Sequence, residues 1–357
     1  MQMLLDHSLL EAKTKNALLI ALFRLSSEST LYPQCFTLSV TQGANAVTAG
    51  HFGEISKGCF RGQALCLRVI KLYRKSHVES LLKACSKAAI LWGHLSHPNV
   101  LPFYGIYHLE DNHRHICLIS PWMDNGNITQ YLIHNPNVSR FSLVHDTAAG
   151  ILYLHENDIV HGNLRGTNIL VTSSGRTCLA DFGTSAVADA YNLQWKSIQK
   201  TVHTNRSIAW QAPEIRSSKG VKSKSTKSSD IYAFSSVCYE IFTGMAPFYD
   251  IPRDATVMLH VMSRNQPPPE ITLPAKNGST NSSWQLMEEC WKTDPVRRPT
   301  IQTIYKRLSM DGPMVDDRSV DGGEVLPPTE FRKAMHNPAN HFPYEDLRDI
   351  STWLPDL

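Results

Sequence analysis

Two short stretches of this 357-residue chain gather the side chains best placed to do chemistry. The first is His161-Gly162-Asn163-Leu164-Arg165-Gly166-Thr167-Asn168-Ile169-Leu170-Val171, and the second, Asp181-Phe182-Gly183, begins ten residues after Val171. The amide oxygen of Asn168 and the carboxylate of Asp181 are hard donors of the kind that hold a divalent cation. Asn163 differs, because an amide can orient a hydroxyl by hydrogen bonding but takes no proton near neutral pH. A third stretch, Thr48-Ala49-Gly50-His51-Phe52-Gly53-Glu54-Ile55, is built around Gly50 and Gly53. Glycines there let backbone N–H groups close over a phosphate without interference from a Cβ atom. Standing alone, this loop is explained equally well by a plain strand-turn-strand hairpin.

The totals bound what these groups can serve. A chain of this length suits one large domain or two modest ones, and 42% hydrophobic content supplies a core. The 35 basic and 32 acidic residues leave a net charge of +3, so neither broad nucleic-acid binding nor membrane-surface binding is expected. Cys35, Cys59, Cys66, Cys85, Cys117, Cys178, Cys238 and Cys290 include no C-x-x-C pair. Neither a zinc site nor a disulfide framework follows, and a reducing, cytoplasmic setting is the simplest. The apolar run Ala17 to Phe23 is short and follows Asp6, Glu11, Lys13 and Lys15, so it reads as a soluble helix rather than a signal peptide. No run approaches the ~20 consecutive apolar residues of a membrane span.

Periodicity marks the elements that must position the chemistry. Apolar residues recur at helical spacing from Leu9 to Leu25, and Phe36 to Val40 alternates like a strand. Leu65 to Ile70 alternates as well, with Cys66 and Arg68 on one face and Lys71 on the other. Lys87 to Ser96 reads as a helix, His115 to Met123 as a strand, and Leu143 to Asn157 as a helix with Ala148, Ile151, Leu152 and Leu154 on one side. Asp230 is a reasonable N-terminal residue for the helix that begins near Ser229. Arg216, Lys219, Lys222, Lys224 and Lys227 sit among serines with no interleaved aromatic residue and read as a solvated loop. After Met310 the Asp, Gly and Pro content rises, with Phe331, Phe342, Tyr344, Trp353 and Leu354 scattered through it.

Eight motifs in order, over about residues 47–309, resemble the protein kinase domain. The wording Val100-Leu101-Pro102-Phe103, Ser120-Pro121-Trp122-Met123 and His161-Gly162-x-Leu164-Arg165-Gly166-x-Asn168 is similar to the tyrosine-kinase-like group expanded in mushroom-forming fungi. The resemblance implies that Gly50, Phe52, Gly53 and Ile55 lie over ATP, with Thr48 in the slot of the first loop glycine. It implies that Cys66 and Leu170 line the pocket, that Ser120 is the gatekeeper, and that the Met123 backbone meets the adenine edge. Asn168 and Asp181 become magnesium ligands, and Arg165 takes the place of the loop Lys that contacts the γ-phosphate. Three slots depart from the pattern: Arg68 for the strand Lys, Ala88 for the Glu that pairs with it, and Asn163 for the catalytic Asp. Gly162 stands where the family has a phosphate-receiving Arg. Structural pins are kept, since Asp230 would hold the loop backbone and Glu214 would form a buried ion pair with Arg298.

The fold so implied is α+β and two-lobed. A small antiparallel β-sheet with one helix (47–122) precedes a larger, mainly α-helical lobe (123–309), with a helical leader (1–46) before them. A partly disordered tail (310–357) follows, with the large lobe as its expected docking surface. Loss of a positioned base costs typically ~10²–10⁴ in rate, and an unassembled Lys–Glu pair removes phosphate positioning besides. The expected function is therefore a catalytically impaired pseudokinase that binds protein partners in signalling, with weak magnesium-dependent ATP binding. The alternatives are a weakly active Ser/Thr or Tyr kinase, because phosphoryl transfer rests mostly on positioning and electrostatics, and a nucleotide-free interaction module.

Overall fold

The computed structural model describes residues 41–50, 53–60, 63–70, 92–108, 116–181, 186–187, 205–216, 224–263, 281–311 and 325–335, together with Ala21, Leu22, Leu25 and Ile90. Alternating apolar side chains make the small lobe a five-stranded antiparallel sheet of order β1-β2-β3-β5-β4. Its strands are β1 (Thr41–Gly50), β2 (Gly53–Phe60), β3 (Gln63–Ile70), β4 (Gly105–His108) and β5 (Ile116–Pro121). β1 begins six residues before the expected border at 47, whereas the strand expected over 36–40 lies outside the described residues. Gly50 pairs with Gly53 to close the β1–β2 hairpin. In the β3–β5 register Cys66 lies opposite Ser120 and Arg68 opposite Leu118. Those four residues share one face by alternation, and Leu65, Leu67, Cys117 and Ile119 form the other, fully buried face.

The large lobe is helical. It comprises α1 (Ile128–His134), α2 (Arg140–Glu156), α3 (Lys227–Thr243), α4 (Asp254–Met262), α5 (Asn281–Cys290) and α6 (Ile301–Asp311). Four short strands, β6 (Ile159–Val160), β7 (Ile169–Val171), β8 (Thr177–Leu179) and β9 (Ala186–Val187), carry the chain between α2 and α3. Of the stripe expected on α2, Ala148, Ile151 and Leu154 are buried, whereas Leu152 is only half-buried against the core. α3 is buried from Ser229 to Phe242 and forms the centre of the lobe. Thr226 caps it by accepting from the Ser229 N–H, and Gly244 ends it at φ 77, a left-handed turn that favours glycine. The capping role expected of Asp230 thus falls to Thr226. No described helix is long and apolar enough to cross a membrane.

The two ends are described in part. Of the leader, Ala21, Leu22 and Leu25 are described as helical, and Leu22 is buried in the main core. The tail is expected on the large lobe, but its helix α7 (Pro328–Met335) packs on the outer face of the small-lobe sheet. Phe331 stacks on Tyr104 at 3.8 Å between ring centroids and meets Phe60 edge-on at 5.5 Å. The physical cause is the second apolar face of β3 and β5, which needs a cover. Phe342, Tyr344, Trp353 and Leu354 lie outside the described residues.

Candidate active site

The site is assembled by pins that come from α3. Asp230, in its first turn and fully buried, accepts hydrogen bonds from His161 N and Gly162 N, each at 2.8 Å, and lies 3.0 Å from His155 Nε2. Gly162 adopts φ 74, a conformation that a glycine holds without strain. His161 Nδ1 accepts from Asn163 N (3.2 Å), so its Nε2 carries the proton and donates to Ala180 O (3.0 Å). Burial pushes its pKa down, which suits this neutral ring. Asn168 Nδ2 donates to Asn163 O (2.7 Å), and Ala180 N donates to Asn168 O (2.9 Å), so residue 168 is tied to the residue before Asp181.

Asp181 is the convergence point. Its backbone sits at φ 61, uncommon for a residue other than glycine, and such strain persists where the surroundings over-determine it. Arg68 Nη1 lies 3.0 Å from Oδ1, and Asn163 Nδ2 donates to Oδ2 at 3.1 Å. Burial by itself would raise this carboxyl, but the Arg68 guanidinium outweighs it and holds the pKa below the ordinary 3.8. Arg68, expected to lack a partner that aims it, is therefore aimed by Asp181. Its helix partner slot, Ala88, lies outside the described residues, as do Phe52, the segment 188–204 and most of the basic loop. Of that loop, Lys227 pairs with Asp158 at 2.7 Å.

The remaining pocket positions fall on the cleft side of the sheet and at the hinge. Ile55 is half-buried opposite Arg68, and Gly50 and Gly53 are placed by the hairpin backbone. Burial pushes the Cys66 thiol up despite a hydrogen bond with the buried Ser120. Met123 is buried and its carbonyl accepts from Gly126 N at 3.0 Å, while Leu170 is half-buried against the main core.

Arg165 is mostly buried, which pushes its pKa down, and it faces the charges of Asp181 and Glu240. Glu240 is a functional neighbour given no role by sequence reasoning. Its Oε2 accepts from Gly166 N (2.8 Å) and Trp210 Nε1 (2.7 Å), and burial raises its pKa to about 7. The signal available was a lone carboxylate in an otherwise apolar helix run. Gly166 is needed at this spot, because a Cβ atom would lie 2.8 Å from Thr129 Cγ2 and 2.9 Å from Glu240 Oε1. Glu214 and Arg298 form the expected pair in bidentate form, 2.6 and 2.8 Å. Arg298 is fully buried, but the Glu214 side chain is 25% exposed.

Chemically, Asn168 and Asp181 offer oxygen donors that fit a hard cation in kind. Asp181 stays ionised, as a ligand must, although a cation at Oδ1 has to displace Arg68. Among the described residues there is no cluster of three or more His, Cys, Asp or Glu that forms another metal site. Asn163 presents its amide N–H₂ to Asp181, and nothing at that position accepts a proton.

Comparison with known proteins agrees with this geometry. Residues 41–308 match the family model described as protein tyrosine and serine/threonine kinase. Similar proteins include the probable serine/threonine-protein kinase drkC of Dictyostelium discoideum, 28% identical over 273 residues, 74% of this chain and 34% of that protein. Another is the serine/threonine-protein kinase STY17 of Arabidopsis thaliana, 26% identical over 268 residues, covering 74% of this chain and 43% of that one. The human mitogen-activated protein kinase kinase kinase 10 is 27% identical over 285 residues, 78% of this chain and 28% of its own length. The matched stretch thus spans less than half of each of these relatives. With the two-lobed fold, the pinned loop and this match over most of its length, the chain belongs to the protein tyrosine and serine/threonine kinase family.

Proposed function

We propose that this chain is a catalytically impaired member of its family, a pseudokinase that acts by binding protein partners in signalling. The observation that carries the reading is Asn163, whose side chain donates to Asp181 Oδ2 in the slot where the family pattern has a proton acceptor. Its wording similar to the tyrosine-kinase-like group and a cytoplasmic setting belong to the same reading. ATP binding is weak and magnesium-dependent. Asn168 and Asp181 would hold magnesium, which would supply neutralising charge to the phosphates. Arg68 and Arg165 add positive charge beside Asp181, Ser120 and Met123 line the adenine side, and Thr48 stiffens the loop above.

A second reading, a weakly active Ser/Thr or Tyr kinase, is favoured by the intact scaffold: the Asp230 pins, the Arg68–Asp181 pair and the Glu214–Arg298 brace. The relatives named above, described as serine/threonine kinases, support it too. The two separate on transfer of labelled γ-phosphate from ATP to a generic protein substrate by the full chain. Transfer at background is expected. Turnover within about a hundredfold of an ordinary kinase, abolished by Asp181→Ala, would overturn the first reading. Absence of any nucleotide binding by the folded chain would favour an empty-pocket interaction module.

A further inference from the structure

We infer that the outer face of the small lobe is a docking surface for an aromatic-anchored helix, with this chain's own residues 325–335 as its occupant. The face is built from Leu65 and Leu67 of β3, Cys117 and Ile119 of β5, and Tyr104, all fully buried with the tail in place. Two side chains of the tail enter it, Leu326 beside the cluster and Phe331 within it. Phe331 is 1% exposed and lies parallel to the Tyr104 ring. The Tyr104 hydroxyl accepts from Gln63 Nε2 (3.1 Å) and donates to Leu326 O (3.1 Å). Burial pushes this phenol up, so it stays a neutral donor. A polar contact at the rim and an aromatic anchor in the middle are the arrangement of a helix seated in a groove.

The placement gives the tail a consequence for the nucleotide side. β3 and β5 present Leu65, Leu67, Cys117 and Ile119 to the tail, and the alternate residues Cys66, Arg68, Leu118 and Ser120 to the cleft. A chain that leaves the large lobe at α6 thus returns to hold the back of the strands that carry Arg68 and Ser120. A strap that joins both lobes couples their separation to its own docking. This inference is independent of whether the chain transfers phosphate.

The test cuts the strap and keeps every residue of the fold. A site-specific protease sequence is placed within residues 312–324 of the full chain and cleaved after folding. A labelled peptide covering residues 324–336 is then titrated by fluorescence anisotropy. The cut protein is expected to exchange its tail for the peptide with a micromolar Kd. The intact chain should take up the peptide at least ~100-fold more weakly, because its tethered tail competes at millimolar effective concentration. A peptide with Phe331→Ala should bind at least about 100-fold more weakly, the loss expected for a buried ring. A cut protein that melts cooperatively yet binds no peptide at about 1 mM, or binds the Phe331→Ala peptide equally, overturns the inference. Phe331→Asp in the uncut chain is a second measurement. Faster amide exchange confined to residues 63–70 and 116–121 is expected, whereas global unfolding or unchanged exchange would show that α7 is a fixed core element or irrelevant to the sheet.

Discussion

Arg298→Ala should remove a large share of the stability of the large lobe while touching no group that does chemistry. The Arg298 side chain is fully buried and makes five hydrogen bonds: two to Glu214, and one each to the carbonyls of Lys292 (2.7 Å), Ser228 (2.9 Å) and Thr293 (3.3 Å). Its guanidinium also lies 5.2 Å from the centre of the Tyr232 ring. Breaking a buried pair from one side costs ~3–5 kcal/mol. The surviving Glu214 is 25% exposed and regains some water, which lowers the charge contribution. The three carbonyls left without their donor offset that relief at ~1–3 kcal/mol for each one that stays buried. A loss of about 4 kcal/mol is expected, against a typical total of ~5–15 kcal/mol. Glu214→Ala should cost at least as much, because it strands a cation with no exposure at all. Arg298→Lys should recover part of the loss, as one point charge cannot reproduce the bidentate fork. Urea unfolding of the full chain, followed by circular dichroism, measures all three. Equal midpoints for wild type and Arg298→Ala would refute the reasoning, and a Glu214→Ala loss much smaller than that of Arg298→Ala would refute the asymmetry.

Arg68→Ala should destabilise the nucleotide-free chain by ~1–3 kcal/mol, because it leaves the buried Asp181 carboxylate uncompensated; a melting temperature equal to wild type would show that the pair adds nothing. Asn163→Asp alone should not restore transfer, since it sets a second carboxylate against Asp181 Oδ2, now 3.1 Å from the amide nitrogen, and leaves phosphate positioning unrepaired. A single variant as active as the combined Asn163→Asp, Arg68→Lys, Ala88→Glu chain would contradict this. ATP affinity in calorimetry should fall about 10–100-fold relative to an intact site, the equivalent of one charge-assisted hydrogen bond, and vanish in Asp181→Ala; tight binding without magnesium would show that the ligands are misassigned. Glu240, raised from an ordinary 4.5 to about 7, gives a pH signature. Its folded form holds a proton that the unfolded form releases between those values, so its contribution to stability is full below 4.5 and is lost as pH rises through 7. The change is about 3 kcal/mol at most. Glu240→Gln should flatten the stability profile over that window. The depressed Asp181 acts with opposite sign and below pH 4, so the two do not overlap.

The loop from His161 to Val171 and the Asp181 turn were legible as short local motifs, whereas the Asp230 anchor and the Glu214–Arg298 brace, 69 and 84 residues apart, were legible only because the resemblance implied them. Both Asp230 pins reach the loop as expected, and both oxygens of Glu214 meet Arg298. What escaped depends on distant pairs that the resemblance does not imply. Arg68 and Asp181 are 113 residues apart, and Tyr104 and Leu326 are 222 apart. No periodicity within a window reports such contacts. The scattered aromatics of the tail leave its docking place open, with the large lobe as one candidate, although alternation in β3 already shows a second apolar face that needs a cover. Glu240 carries no role in the sequence reading, because its two donors, Gly166 N and Trp210 Nε1, come from stretches distant from it in sequence.

The groups that hold the site in shape are largely different from the groups that would perform transfer. Asp230, His161, Asn168, Glu240 and Arg298 fix the loops through bonds to backbone atoms or to one another, and none of these bonds requires a particular residue at 163 or 88. Substitution at those two positions can therefore remove chemistry at little structural cost. Asn168 serves both ends, because its Nδ2 ties the loop while its oxygen is a metal donor, and Arg68 does so as well. Its guanidinium is the cation nearest to Asp181, so it both compensates a buried carboxylate and occupies the oxygen that a metal would need. A nucleotide that draws Arg68 onto its phosphates must leave Asp181 to magnesium at the same moment, or strand it. Nucleotide and metal should for that reason bind this chain as a coupled pair, each raising the affinity of the other by the same factor.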